Sequence, residues 1–269
     1  MVSNLSMVFM TISMLISILM PIALAIYFYK KKKISLLAVL IGAIVFVVSQ
    51  LLLRIPMLTF LGTQEWYKAM SLNIAFLAVF LGLTAGLFEE VARYIAMKYF
   101  MKNRLSWKNG LAFGIGHGGI EAIILVGMTI LSNLILSFMI NAGVFEATIG
   151  AQLAPEAVDQ LKSALVNAPS LSFLIAGYER IMAMIIQIAL SIIVLYSVKL
   201  KKPIYLLYAI LLHGVIDSPL VILMGMKVNY WVMELYVTAC AALGLAFIIK
   251  SWQASKKAEK QLEQQVELQ

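Results

Sequence analysis

The chain contains only two histidines, and each lies inside an apolar run where a polar group is costly. His117 lies within the run 113–121, and His213 lies within the run 211–217. A third apolar run carries two adjacent carboxylates and an arginine, namely Glu89, Glu90 and Arg93. A charged side chain at the centre of a bilayer costs at least ~2.5 kcal/mol on insertion scales, so such groups are functional candidates by default. The three runs predict one polar site inside a membrane.

Each histidine is followed by an acid four residues later, which places both side chains on one helix face. These acids are Glu121 after His117 and Asp217 after His213. Two imidazoles, a carboxylate and a water are typical of a hydrolytic zinc site, in which the ion lowers the pKa of the bound water. The second carboxylate either joins the ligands or holds an imidazole in place. The predicted metal residues are therefore His117, His213, Asp217 and Glu121, and the expected ion is Zn²⁺ or another divalent metal.

The three runs also agree in depth. Glu89 and His117 each lie nine residues from the lysine at the end of their own span, and His213 lies eleven residues from its lysine. At ~1.5 Å rise per residue, these separations place all three groups roughly 12–17 Å below the same surface. We therefore expect the two imidazoles to approach closely enough to share one ion, with Glu89 or Glu90 beside it.

The adjacent glutamates should have different roles. Neighbouring positions on a helix point ~100° apart, so Glu89 and Glu90 cannot face one ion equally. One of them would take a proton from the water, and the other would pair with Arg93, three or four residues along the helix.

Composition places this site in a membrane protein. Apolar residues make up 62% of the chain and charged residues 13%, and a single cysteine excludes an internal disulfide. A spanning helix needs roughly 20 apolar residues. Seven runs meet that length, which predicts an all-α polytopic bundle over 1–250 followed by a polar cytoplasmic tail over 251–269. The runs are 7–29, 34–53, 73–99, 110–140, 171–198, 203–224 and 230–250.

Basic residues collect at alternate helix ends. Fifteen of the 21 lysines and arginines lie on one side, and Arg54, Lys68, Lys162 and Lys227 are assigned to the other. Cytoplasmic loops carry the excess of basic residues, so the N-terminus is expected outside and the C-terminus inside a bacterial cell membrane. The net charge of +8 then reflects topology and contact with anionic lipid, not nucleic-acid binding.

Further residues are candidates for substrate contact or for support of the metal residues: Phe113, Gln187, Glu179 and Arg180. Gln187 lies level with the histidines, where it would contribute its amide to the site or bridge two helices. Glu179 and Arg180 lie nearer the outer surface, and a structural ion pair is the simpler interpretation for them. In the preceding loop, apolar spacing predicts a short amphipathic helix over 155–166, either an interfacial connector or a cap over the outer mouth.

Small residues surround the polar groups. Gly82 and Gly86 form a GxxxG motif before the glutamates, and four glycines flank His117. Such residues let helix backbones approach closely in a membrane. The glycines beside His117 would either pack helices or leave room for a substrate or a water.

Together the motifs Glu-Glu-x-x-Arg, Phe-x-x-x-His and His-x-x-x-Asp resemble those of the CAAX-protease and bacteriocin-processing superfamily. The whole chain resembles the YhfC family of membrane peptidases more closely. The resemblance implies that Glu89 activates the water, that His117 and His213 belong to the metal site, and that Asp217 stands where CAAX proteases carry asparagine. The spacing differs, because here two residues separate Glu90 from Arg93 where those proteases have three.

The leading functional prediction is a zinc-dependent intramembrane endopeptidase that cuts a peptide or protein substrate in or beside the bilayer. One alternative is a transporter that uses the buried carboxylates and histidines as a proton relay. That class often shows inverted repeats and interrupted spans, and no convincing internal repeat is visible here. Another alternative is an inactive immunity or scaffold protein of the same fold.

Overall fold

A computed structural model of the protein describes residues 1–267, and all regular structure in that range is helical. Seven of its helices are long and apolar enough to cross a membrane, which confirms the predicted polytopic helical fold. They are α1 (Asn4–Lys32), α2 (Leu36–Leu61), α4 (Ile74–Tyr99), α5 (Trp107–Asn141), α7 (Ser170–Lys199), α8 (Ile204–Gly225) and α9 (Tyr230–Glu267). Two shorter helices are α3 (Glu65–Ser71) and α6 (Pro155–Val166).

Local sequence signals set several helix ends. The Asn73 side chain accepts hydrogen bonds from the backbone N–H groups of Ala75 and Phe76 at the start of α4. Ser35 accepts one from the N–H of Ala38 at the start of α2. Such caps satisfy N–H groups that have no partner within the helix. Pro155 begins α6, where its missing N–H leaves no hydrogen bond unmade.

The second span is longer than the sequence predicted. Our prediction ended it at residue 53 and assigned Arg54 to the outer end, but α2 continues through a π-helical segment, Val47–Arg54, as far as Leu61. Arg54 is half-buried and donates hydrogen bonds to the Leu81 carbonyl at 2.7 Å and to Thr84 at 3.3 Å. The helix can therefore pass Arg54 because groups of α4 satisfy its guanidinium.

The chain forms two compact units. The first comprises Met1–Ala23 and Glu121–Ile181, and the second comprises Leu24–Ile120 with the described residues from Met182 onward. In the first unit, the core includes Met10 of α1, Leu165 of α6, and Phe145 from the segment between α5 and α6. Val158 and Leu161 of α6 pack partly against the same core. The predicted amphipathic helix is thus present, and its apolar face packs against protein.

In the second unit, α4 and α8 pack along each other. The GxxxG motif of α4 makes this approach close. A Cβ atom added at Gly86 would lie 2.6 Å from the Ile210 carbonyl oxygen and 3.1 Å from the Cβ of His213. The predicted role of this motif in packing is therefore confirmed, and it brings the glutamates of α4 next to His213.

The glycines of α5 bring its backbone against α2 and α7. A Cβ atom at Gly114 would lie 2.6 Å from the Cα of Ile188, and one at Gly116 would overlap the Val39 carbonyl. A Cβ atom at Gly118 would lie 3.0 Å from the Cβ of Gln187. For Gly114, Gly116 and Gly118, the packing alternative is therefore correct. Helix α9 continues beyond the last predicted span through residues 251–267. The final two residues of the predicted tail lie outside the described range.

Candidate metal and catalytic site

Glu89 lies at the centre of the polar residues of the second unit. Its Oε1 accepts a hydrogen bond from Gln50 Nε2 at 2.6 Å. Its Oε2 is 2.9 Å from Arg93 Nη2, 2.9 Å from His117 Nε2 and 3.4 Å from Gln187 Nε2. Residues from α2, α4, α5 and α7 therefore converge on one carboxylate that is only 4% exposed.

Both histidines face this carboxylate. His117 contacts Oε2, while His213 Nε2 lies 3.9 Å from Oε1. The structure thus brings together the three runs that sequence reasoning placed at one depth. Since α4, α5 and α8 each supply one of these groups, the site depends on the packing of separate helices.

Arg93 is fully buried and reaches groups on two helices. It pairs with Glu89 at 2.9 Å and lies 3.7 Å from Glu90 Oε1. Its Nη1 donates to the Gln187 carbonyl and to Ser191 Oγ, both at 3.2 Å, and its Nη2 donates to the Gln187 side chain. A buried charge is stable only when it is paired and hydrogen-bonded. Arg93 meets that condition through Nη1 and Nη2, while its Nε is buried without a hydrogen-bond partner. Arg93 therefore joins the glutamates of α4 to α7.

Glu90 orients His213. Its Oε1 is 2.7 Å from His213 Nδ1, while its Oε2 is buried without a hydrogen-bond partner. A carboxylate bound to one ring nitrogen fixes an imidazole so that the other nitrogen faces a metal or substrate. Here that other nitrogen, Nε2, lies between Glu89 and Asp217, whose Oδ2 is 3.5 Å away.

His117 is enclosed by aromatic rings. Phe113 stacks on it at a centroid distance of 6.3 Å, and Phe46 meets it edge-on at 5.3 Å. Both rings and His117 are buried, and His117 Nδ1 has no hydrogen-bond partner. Phe113, a candidate for contact with substrate, thus supports the imidazole from within the same helix.

The donor set fits a divalent ion. Glu89, Glu90 and His213 each offer a ligand atom, and these atoms lie within 4.8 Å of one another. Two ligands of a tetrahedral ion with ~2.1 Å bonds stand roughly 3.4 Å apart. The 3.9 Å between His213 Nε2 and Glu89 Oε1 is about half an ångström longer, so a small side-chain movement would bring the two atoms to that spacing. Buried carboxylate and imidazole groups are ligands that zinc accepts. The unpartnered Glu90 Oε2 would gain a partner in such a site.

This grouping differs from the predicted ligand set. His213 belongs to it, but its companions are the two glutamates. His117 touches the group through its hydrogen bond to Glu89, and Asp217 approaches His213 with a side chain that is 39% exposed. Neither Asp217 nor Glu121 belongs to the group of candidate ligands within the described residues.

Glu121 and Arg180 form an ion pair in the first unit, with Nη1 and Oε1 3.3 Å apart. The predicted pairing of Glu179 with Arg180 is therefore wrong. Adjacent helix residues point in different directions, so Arg180 reaches a carboxylate on another helix. Glu179 is half-buried on the same helix and forms no ion pair within the described part of the chain.

Sequence reasoning missed Gln50. It donates to Glu89 and accepts a hydrogen bond from Arg54 Nη1 at 3.1 Å, so it links Arg54 to the site. The signal was present as two polar residues four apart in an apolar run. A span that ends at residue 53, as predicted, places Arg54 at the outer helix end and hides this signal.

Comparison with known proteins places the chain in a family. Residues 16–237 match the model of the family described as YhfC intramembrane metalloprotease. The chain is 38% identical over 253 residues to a Bacillus subtilis (strain 168) protein whose name is "Uncharacterized membrane protein YhfC", and the match covers 93% of this chain and 98% of the relative. No solved structure matches. The seven spans and these matches make the chain a multi-pass membrane protein that belongs to the YhfC intramembrane metalloprotease family.

Proposed function

We propose that the protein is an intramembrane metal-dependent endopeptidase that hydrolyses a peptide or protein segment in or beside the bilayer. The observation that carries the proposal is the contact of both histidines with the Glu89 carboxylate, next to Glu90, inside helices that can span a membrane. The family name supports the same reaction class.

Each residue has a task in this proposal. Glu90 and His213, with Glu89 beside them, would hold the ion. When bound, a divalent ion supplies a more acidic water and polarises a carbonyl group. Glu89 takes the proton from the attacking water and is held in place by His117, Gln50 and Arg93. The same carboxyl group would give that proton to the amine nitrogen that leaves when the peptide C–N bond breaks, so the hydrolysis needs no other proton donor.

The burial of the site residues limits the direction from which a substrate can approach. Glu90, Arg93 and His117 are fully buried, whereas Asp217 on the same face of α8 as His213 is 39% exposed. A substrate would therefore approach from the Asp217 side. An extended, unwound segment suits such a narrow approach, because helical backbone carbonyls are already hydrogen-bonded and shielded.

The experiment measures metal content and cleavage together. Purified parent, His213→Ala and Glu121→Ala proteins would be compared by elemental mass spectrometry, with Glu121 as the control because it pairs with Arg180. We expect about one divalent ion per parent chain, loss of that ion in His213→Ala and retention in Glu121→Ala.

Cleavage would be found by labelling new N-termini in membranes from cells that express the parent or Glu89→Gln. Cleavage sites present only with the parent, within or beside membrane spans, support the proposal. A metal-free parent, or identical N-termini in both samples, would contradict it and favour the transporter or scaffold alternatives.

A further inference from the structure

A second site lies at the lysine-rich end of the helices of the second unit. A cavity of about 240 Å³ there is lined largely by lysines and by two tryptophans. It adjoins an apolar cavity of about 210 Å³, since both share the residues Lys32, Trp107, Lys108 and Trp252. We propose that this pair of cavities binds one anionic phospholipid, with its phosphate among the lysines and an acyl chain in the apolar cavity.

The charged half is strongly basic. Its lining includes five lysines and one acid, Glu259; the lysines are Lys31, Lys32, Lys33, Lys108 and Lys256. All five are exposed, and none forms an ion pair with a carboxylate in the described structure. Lysines without a carboxylate partner among the described residues converge here from α5, from α9, and from the last residues of α1 together with Lys33 just beyond it. They create a strong positive potential, which an anionic headgroup would neutralise.

The tryptophans join the two halves. Trp107 is buried and donates a hydrogen bond to Ser251 Oγ at 2.8 Å, which fixes its ring. Trp252 stands beside it at a centroid distance of 6.3 Å, with Lys256 Nζ 4.3 Å and Lys32 Nζ 5.2 Å from its ring centroid. Tryptophan prefers the level of lipid headgroups. The lysine amines are thus held at the boundary between the charged and apolar cavities.

The apolar half suits a hydrocarbon chain. Besides the shared residues, it is lined by Phe28, Leu111, Ile248 and Ile249. Phospholipid is the occupant that meets both requirements, because it carries a phosphate and an acyl chain in one molecule. A free phosphate would leave the apolar cavity without an occupant.

Fluorescence quenching tests this assignment directly. Of the four tryptophans, Trp66 and Trp231 are more than half exposed, at 52% and 53%, and can be replaced by phenylalanine. The remaining signal then comes from Trp107 and Trp252. The protein would be reconstituted in phosphatidylcholine vesicles in two separate titrations. One adds increasing fractions of phosphatidylglycerol with brominated acyl chains, and the other adds phosphatidylcholine with brominated acyl chains. We expect brominated phosphatidylglycerol to quench at a much lower mole fraction than brominated phosphatidylcholine.

A matched pair of variants separates a built site from general surface charge. Lys32→Gln/Lys108→Gln/Lys256→Gln removes three charges from the site. The control, Lys102→Gln/Lys201→Gln/Lys202→Gln, removes three exposed charges from residues that line neither cavity. A lysine near an anionic membrane contributes about five-fold in affinity. We expect the first triple variant to lose at least about ten-fold of the phosphatidylglycerol preference, and the second less than about three-fold.

Ile248→Phe tests the apolar cavity with all lysines intact. The larger side chain would fill this cavity and exclude the acyl chain, so quenching by brominated phosphatidylglycerol should weaken. Equal losses in the two triple variants, or no preference in the parent, would overturn the proposal. Displacement of the brominated lipid by glycerol phosphate alone would overturn it too, because the acyl chain would then contribute nothing.

Discussion

The adjacent residues Glu89 and Glu90 have different hydrogen-bond partners in the site. Glu89 receives hydrogen bonds or close contacts at both oxygens, whereas Glu90 has one oxygen against His213 and one without a partner. We expect Glu89→Gln to reduce cleavage by ~10²–10⁴-fold while folding and most of the metal content persist. Glu90 and His213 remain as ligands, and glutamine keeps the size and an acceptor oxygen but cannot take a proton. Cleavage of a substrate identified by N-terminal labelling would be measured beside metal content.

Glu90→Gln is the matched comparison. It weakens the contact with His213 Nδ1 and lies near Arg93, so it should lower metal content and thermal stability first. If Glu90→Gln stops turnover in a stable, metal-loaded protein while Glu89→Gln stays active, the free Oε2 of Glu90 is the base.

Gln50 offers a second test of the hydrogen bonds around Glu89. Gln50→Leu keeps a side chain of similar size but leaves Glu89 Oε1 without its 2.6 Å donor and Arg54 Nη1 without its acceptor. A buried polar group that loses its partner costs ~1–3 kcal/mol. We therefore expect a lower unfolding temperature in detergent and slower cleavage. Gln64→Leu, at a position whose hydrogen bonds are all exposed, should change neither; an unchanged Gln50→Leu protein would show that this hydrogen bond is dispensable.

At the scale of elements, helix contacts determine whether the site forms. Gly86→Ala would place a Cβ atom 2.6 Å from the Ile210 carbonyl and push α4 from α8. Overpacking of this kind costs ~1–3 kcal/mol, so we expect reduced stability and reduced metal content, measured on purified protein.

Gly244→Ala is the control, because its Cβ would make an ordinary 3.4 Å contact. It should be neutral or slightly stabilising, since alanine is the better helix former; equal behaviour of the two variants would contradict this account of the GxxxG motif.

Much of this architecture was predictable from the sequence because a membrane imposes simple rules. Apolar length identified the seven spans, and distance from the lysines placed Glu89, His117 and His213 at one depth. Depth alone does not give rotation about the helix axis. The partner of Arg180 and the grouping of His213 with both glutamates therefore required the packed structure.

The π-helical segments mark a further limit of sequence reasoning. They occupy Val47–Arg54 of α2 and Ala122–Gly127 of α5, one containing Gln50 and the other directly after Glu121. An extra residue in one turn of a helix rotates the directions of all later side chains about the helix axis. The usual 3.6 residues per turn then no longer predict which face of the helix a side chain occupies. Such segments often accompany functional sites. Here the segment in α2 directs Gln50 towards Glu89.

At the scale of the whole molecule, the distribution of basic residues predicts which side of the membrane each end faces. The lysine-rich helix ends predict an outside N-terminus and an inside C-terminus. The structure removes Arg54 from the predicted outer side, because this residue lies within α2 and hydrogen-bonds to α4 instead of lying at an outer helix end. Lys68, Lys162 and Lys227 are then the basic residues left on the predicted outer side.

Single cysteines can test this topology in intact cells. In a Cys240→Ala background, Ser163→Cys on α6 and Ala254→Cys on α9 each place one exposed thiol on a predicted opposite side. A membrane-impermeant maleimide should label residue 163 in intact cells and residue 254 only after the membrane is opened. Labelling of residue 254 alone in intact cells would reverse the orientation. The glutamates and histidines would then lie nearer the outer surface, and the lysine cavity would face the outer leaflet.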